Sequence, residues 1–241
     1  RRPKSCWSSW FAELACYHFH DYYSVTRSMN RDAIFNMLQM QHRMNSRVHA
    51  DWINQSFEWY RATWIECGEL MDHVGYKWWK KQMPDMEQVR LEVVDIWHFG
   101  LSALFEPNTD LEALAAQIAD EFTMATPGES DSGSNTRIHA ATEALAQHAL
   151  ETKGFSVPLF HTLMRACDLS ADTLYRHYVG KNVLNFFRQD HGYKDGTYVK
   201  EWQGREDNEH LSELLESLDA ASPNFPEAVY EALASRYADV T

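Results

Sequence analysis

An all-α fold, a helical bundle built around a group of four carboxylates, is what this sequence predicts. Three observations carry that expectation. Gly and Pro number only 10 and 7 among 241 residues, too few for the turns of a many-stranded sandwich or barrel. Apolar residues recur at three- and four-residue spacing through most of the chain, and no segment alternates convincingly. Glu66 with Glu69, and Glu92 with Asp95, each stand three residues apart, which puts both members of a pair on one helical face.

The elements follow in order. Residues 11–24 are aromatic and read as a helix. Over 31–49, Ile34, Met37, Leu38, Met44 and Val48 sit close to helical spacing. A second helix is expected from about 51 to 74, ended by Gly75. Asp85 is an N-cap for the next, with Gln88 placed to complete a capping box, and the apolar pattern runs on to about Phe105. Pro107 closes it. Thr109 and Glu112 form another capping box, opening a helix to about Phe122. Residues 126–135 are a polar, flexible linker. Short helices are expected over 136–151 and 157–167, and a longer one capped by Ser170 through about Arg188. A loop over 191–205 and helices near 207–219 and 226–238 complete the chain. This reads as one all-α domain over 1–241, with core helices at about 31–105 and 171–219, a variable helical insert at about 107–168, and additional helices closing over the cleft.

Composition narrows the function. A net charge of −13 argues against nucleic acid or an anionic membrane as partner. An acidic protein can still take an anionic substrate through divalent cations and a few local Lys and Arg. Cys6, Cys16, Cys67 and Cys167 fit neither a zinc pattern nor a disulfide framework, and read as the reduced thiols of a cytoplasmic protein. The apolar runs are too short to span a membrane.

The carboxylates carry the chemistry. If their helices pack antiparallel, Glu66, Glu69, Glu92 and Asp95 converge. Four close carboxylates are tolerable only with cations between them. All-oxygen ligation favours Mg²⁺ or Mn²⁺ over zinc or copper. Solvated helix faces would be the plain alternative, but Trp64, Ile65, Leu70, Val93, Val94, Ile96, Trp97 and Phe99 make both helices apolar on most sides, and buried carboxylates need partners. A di-iron bundle would use Glu-x-x-His on two helices; Asp95 with His98 offers one such pair and Glu66 with Glu69 none.

Three stretches resemble a known family. They are 59–70 (WYRATWIECGEL) with the loop 77–81 (KWWKK), 92–99 (EVVDIWHF), and 181–198 (KNVLNFFRQDHGYKDGTY) followed by Lys200, Trp202 and Glu206-Asp207-Asn208. Together they look like the dimeric dUTPases of the all-α, MazG-like nucleotide pyrophosphatase superfamily, over roughly 34–105 and 174–215. The resemblance implies that Glu66, Glu69, Glu92 and Asp95 are metal ligands; among these carboxylates Glu66 and Glu69 are read as catalytic, with Glu66 the first choice to orient or deprotonate a water. It implies that Gln41 and Asn45 contact uracil and its surroundings, with Gln39 competing for the role of Gln41. Trp79 lines the base pocket, unless Trp78 does, and His98 and Phe99 flank the deoxyribose. Lys181, Asn185, Arg188, Tyr193, Lys200 and Asn208 serve the phosphates. The implied activity is Mg²⁺-dependent (Mn²⁺ possible) hydrolysis of dUTP, and of dUDP, to dUMP by a homodimer, which limits uracil incorporation into DNA. The alternatives are a related pyrophosphatase acting on dCTP or another nucleotide, and a nucleotide-binding regulatory protein without turnover.

The residue chemistry is compatible with that reading. Side-chain amides can donate to the uracil carbonyls and accept from its N–H. A tryptophan face stacked on a base is worth about 1–3 kcal/mol.

Overall fold

The computed structural model describes residues 29–124, 134–220, 222 and 224–238. The helix expected over 11–24 lies outside the described residues, as does the linker of 126–135 up to residue 133.

Within them the chain forms nine α-helices: α1 (Arg31–Val48), α2 (Trp59–Val74), α3 (Met86–Ala103), α4 (Leu111–Met124), α5 (Asn135–Thr152), α6 (Val157–Ala166), α7 (Ala171–Asp190), α8 (Asp207–Ser217) and α9 (Phe225–Tyr237). The fold class is therefore the expected one. No helix among the described residues is long and apolar enough to cross a membrane.

Local chemistry sets most of the boundaries. Asn30 accepts from Ala33 N at 2.9 Å and starts α1. Asp85 accepts from Gln88 N at 3.2 Å and starts α3. Ser170 accepts from Thr173 N at 3.1 Å and starts α7. Gly75 closes α2 at φ 90°, a conformation that other residues rarely adopt.

Three expectations need correction. Residues 51–58 do not extend α2. The Asp51 carboxylate takes hydrogen bonds from Asn54 and Gln55, a 3₁₀ turn forms at Ile53–Gln55, and Ser56 follows in the left-handed region at φ 51°. Short polar side chains that bond locally compete with helix here. Thr109 does not cap α4 either. Its hydroxyl is spent on the backbone of Glu106, while Asp110 Oδ1 accepts from the amides of Glu112 and Ala113. Lastly, a small antiparallel hairpin pairs β1 (Glu201–Trp202) with β2 (Arg205–Glu206). Gln203 and Gly204 both take positive φ between them, as a tight hairpin turn requires. Two-residue strands are too short to leave an alternating signal.

The described chain separates into two compact units, with the break inside α7 between Asn182 and Val183. In the first, α2 packs against α3 and α5, α1 against α4 and α3, and α6 against α5 and α4. Ile34, Met37 and Leu38 of α1, Leu70 of α2, and Val93, Ile96 and Trp97 of α3 are fully buried in its core. Trp97 lies flat on Phe160, with ring centroids 4.5 Å apart. The second unit is centred on an aromatic group. Phe187 meets Trp202 and Tyr237 at 6.0 and 5.4 Å, and Tyr198 stacks on Tyr237 at 5.4 Å.

Gly100 lets the Phe155 ring lie directly against α3: a Cβ at position 100 would overlap that ring. Gly100→Ala gains helix propensity yet forces the ring out of its seat. The net expectation is a loss of about 1–3 kcal/mol in unfolding free energy, the usual cost of overpacking. Urea denaturation of the variant checks this; unchanged stability would mean that Phe155 repacks freely.

Candidate metal and nucleotide site

α2 and α3 run antiparallel. His73 lies opposite Asp85, where backbone groups bond at 3.0 Å, Glu66 lies opposite Glu92, and Trp59 stacks on Phe99 at 6.4 Å. Chain numbers rise along one helix as they fall along the other. The i, i+3 spacing then does the rest: carboxylate oxygens of Glu66, Glu69 and Glu92 lie within 4.8 Å of one another. Glu92 is buried, Glu66 half-buried and Glu69 exposed, so the group opens toward solvent on one side.

The electrostatics of this trio are unfavourable by themselves. Burial, then the charges of Asp95 and Glu92, push the Glu66 carboxyl up to about 8, and it shares a hydrogen bond with Glu92. Burial and Asp95 raise Glu92 as well. Crowded, partly desolvated carboxylates of this kind fit a hard divalent cation, because the donor set is all oxygen and carries excess negative charge. Cys67, beside Glu66 in sequence, does not join the group. It is buried, its thiol is free, and burial followed by Glu66 pushes it up to about 12.

Asp95 stands apart from the trio in one respect. Its Oδ2 is 2.8 Å from the buried ammonium of Lys181 on α7. Two expected site residues thus meet each other, and the fourth carboxylate carries an internal counter-ion. His73 Nε2 approaches Glu92 at 3.4 Å, a contact that sequence reading did not anticipate.

A second group of expected residues assembles on α1, α3 and α7. Gln41, Asn45 and His98 are all buried. Gln41 Nε2 donates to Asn45 Oδ1 and to Ser102 Oγ, both at 3.0 Å, and Asn45 Nδ2 donates to Ser102 Oγ at 2.9 Å. Gln41 Oε1 faces the Tyr178 hydroxyl and His98 Nδ1, both at 2.8 Å. Ser102 and Tyr178 were missed by sequence reading. The available signal was their register: Ser102 lies one turn beyond His98, and Tyr178 lies three residues before Lys181. Gln39, the competitor of Gln41, is only half-buried.

Trp79 does not join this cluster through any ring contact. It stands in the loop after α2 with 60% of its surface exposed, edge-on to Tyr76 and to Trp78, which is 90% exposed.

In the second unit Arg188 is the hub. It forms a two-pronged pair with the fully buried Asp207, through Nε and Nη2 at 2.8 Å each. Nη1 reaches Asn185 at 3.2 Å, Nη2 reaches Asn208 at 3.5 Å, and the guanidinium sits 5.9 Å from the Tyr193 ring centre. Tyr198 also donates to Asp207 at 2.8 Å. Four expected residues therefore gather here, held by Asp207 and Tyr198, whose roles the sequence did not reveal. Lys200 instead pairs with Glu206 at 3.0 Å on the surface.

Removing one charge from the trio should separate its stability cost from its binding role. Without metal, Glu92→Gln should stabilise the protein by about 1 kcal/mol, as is common when active-site repulsion is relieved. The rise in Tm on adding a divalent cation should shrink. Thermal unfolding with and without MgCl₂ reads both effects; an undiminished cation response would remove Glu92 from the ligand set.

Comparison with curated proteins gave no match. A family model described as dUTPase matches residues 33–193, well over half of the chain, and takes in the carboxylate helices, the Gln41 cluster, Lys181 and Arg188. With an all-α fold and a carboxylate cluster in place, the chain belongs to this dUTPase family, whose members are metal-dependent dUTP diphosphatases.

Proposed function

We propose that this chain hydrolyses dUTP, and also dUDP, to dUMP with Mg²⁺, in the cytoplasm and as a homodimer. The observation that carries the reading is the convergence of Glu66, Glu69 and Glu92 inside the span matched by the dUTPase family. Glu66, Glu69, Glu92 and Asp95 would hold the cation. When bound, Mg²⁺ supplies charge to offset the phosphates and acidity to a water molecule. Mn²⁺ suits the same oxygen donors.

The remaining work belongs to the side chains. With a cation offsetting the charge of its neighbours, a Glu66 carboxylate oxygen would be ionised and would accept the proton of the attacking water, with Glu69 one turn away on the same face holding that water in line. Lys181 keeps Asp95 oriented through its 2.8 Å pair and adds positive charge beside the carboxylates. Asn45 presents a side-chain amide to uracil from the buried cluster, and Gln41 orients it. Trp79 offers an exposed ring face to the base, and Phe99, stacked on Trp59, bounds the sugar beside His98. Asn185, Arg188, Tyr193, Lys200 and Asn208 serve the phosphates, whose charge calls for cationic and amide donors.

The homodimer reading is supported by apolar surface near α2. Phe57, Trp64 and Ile65 are each more than a third exposed, an arrangement that a second copy of the chain would cover.

Activity should vanish in excess chelator and return with Mg²⁺ or Mn²⁺. Glu66→Gln should lower kcat by about 100- to 10,000-fold, the range for losing an acid–base group, while circular dichroism stays unchanged. Pyrophosphate release across a nucleotide panel should favour dUTP over dTTP and dCTP. Comparable specificity constants for all three would replace the dUTP assignment with a broader pyrophosphatase. Light scattering at micromolar protein should give twice the mass of one chain; a single-chain mass would count against the dimer.

A further inference from the structure

The cluster around Gln41 carries more than a contact map, because donors and acceptors in it can be counted. A side-chain amide has two N–H donors and a carbonyl with two lone pairs. Gln41 spends both donors on Asn45 and Ser102, and its carbonyl faces Tyr178 and His98. An amide can be turned over without changing its shape, so its orientation must follow from its neighbours. That orientation decides which nitrogen of His98 carries the proton.

Ser102 resolves the choice. Its Oγ lies within 3.0 Å of the Gln41 amide, the Asn45 amide and the backbone carbonyl of His98. A hydroxyl has one proton and two lone pairs. With both amide nitrogens facing it, Ser102 accepts twice and donates once, to the His98 carbonyl. With both amides turned over, one proton would face three oxygens. Turning either amide alone would set like atoms against each other between Gln41 and Asn45. The far end of the cluster has a milder conflict, in which the single Tyr178 proton serves both Gln41 Oε1 and the Met37 carbonyl, 2.9 Å away. The arrangement with Gln41 Oε1 toward His98 therefore leaves fewer unpaired contacts, and His98 Nδ1 must be the donor.

We infer that Ser102, Gln41 and Tyr178 are positioning residues that fix His98 as its Nδ1–H tautomer, so that Nε2 presents a bare lone pair to a hydrogen-bond donor on the nucleotide. His98 Nε2 is buried and has no hydrogen-bond partner among the described residues. A buried polar atom without a partner is costly, and a bound donor would satisfy it. The Tyr178 ring lies against the imidazole with centroids 4.1 Å apart and planes 17° from parallel, which hinders rotation. Burial holds His98 down to about 4, so the ring stays neutral near pH 7. Two groups of dUTP offer the required chemistry, the N3–H of uracil and the 3′-hydroxyl. The ligand half of this inference rests on the proposed nucleotide activity; the tautomer is a property of the free protein.

The test is ¹H–¹⁵N long-range NMR of the full chain labelled with ¹⁵N-histidine, with His98 assigned by comparison with His98→Gln. In the absence of nucleotide, His98 should show a protonated Nδ1 and an unprotonated Nε2. A protonated Nε2 would overturn the inference. Ser102→Ala and Tyr178→Phe should each mix the tautomers, whereas Ser102→Thr, which keeps the hydroxyl, should restore the parent signal. Tautomers that ignore both deletions would deny the positioning role. A non-hydrolysable dUTP analogue should then shift the Nε2 resonance. The N3-methyl and 3′-deoxy forms identify the donor, since the one lacking it leaves the resonance in place. An analogue that binds by calorimetry without moving Nε2 would overturn the ligand half. Failure of any nucleotide to bind would instead bring down the proposed activity together with that half, while the tautomer result stands on the free-protein spectrum.

Discussion

Three carboxylates that crowd within 4.8 Å between α2 and α3 are the constraint to which the rest of the first unit answers. The crowding shows in the Glu66 carboxyl, which burial and its acidic neighbours push up to about 8 and which shares a hydrogen bond with Glu92. The helices tolerate this because their other faces are well packed. Leu70 and Val74 of α2, and Val89, Val93 and Ile96 of α3, are almost wholly buried. Each such side chain contributes about 1.5–3 kcal/mol when removed from water, which holds the two helices together despite the crowding. The hairpin thus stores a charge imbalance in a rigid frame, and that is what a cation site needs before its cation arrives.

In each unit some of the polar side chains expected at the site are held by named partners. Lys181 compensates Asp95 from α7, and Asp207 compensates Arg188 in the second unit. Gln41 ties α1 to α3 and α7 in one bonded cluster. Side chains held at several points have few rotamers left to lose when a ligand binds, which is the physical meaning of preorganisation.

Much of this was readable from the chain alone, and for identifiable reasons. Glu66, Glu69, Glu92 and Asp95 announce themselves because a three-residue spacing on an apolar helix is a local pattern. Gly75, Asp85 and Ser170 mark helix ends through equally local chemistry. What escaped was non-local or too short. The Lys181 partner of Asp95 is 86 residues away, and nothing nearby in sequence distinguishes Asp95 from its fellow carboxylates. Tyr178 and Ser102 look like ordinary helix residues until α1, α3 and α7 meet. Asp110 outcompeted Thr109 as a cap because both are good caps and only backbone geometry separates them. The hairpin at 201–206 has too few residues to show a period.

Cys67 has a consequence of its own. A thiolate next to Glu66 would have offered sulfur to the same hole in which the carboxylates offer oxygen, and zinc or copper would then compete strongly for it. Instead the sulfur is buried, and burial followed by the charge of Glu66 pushes the thiol up to about 12. The donors gathered at this spot are therefore all oxygen, with the neighbouring sulfur kept out of reach in the core.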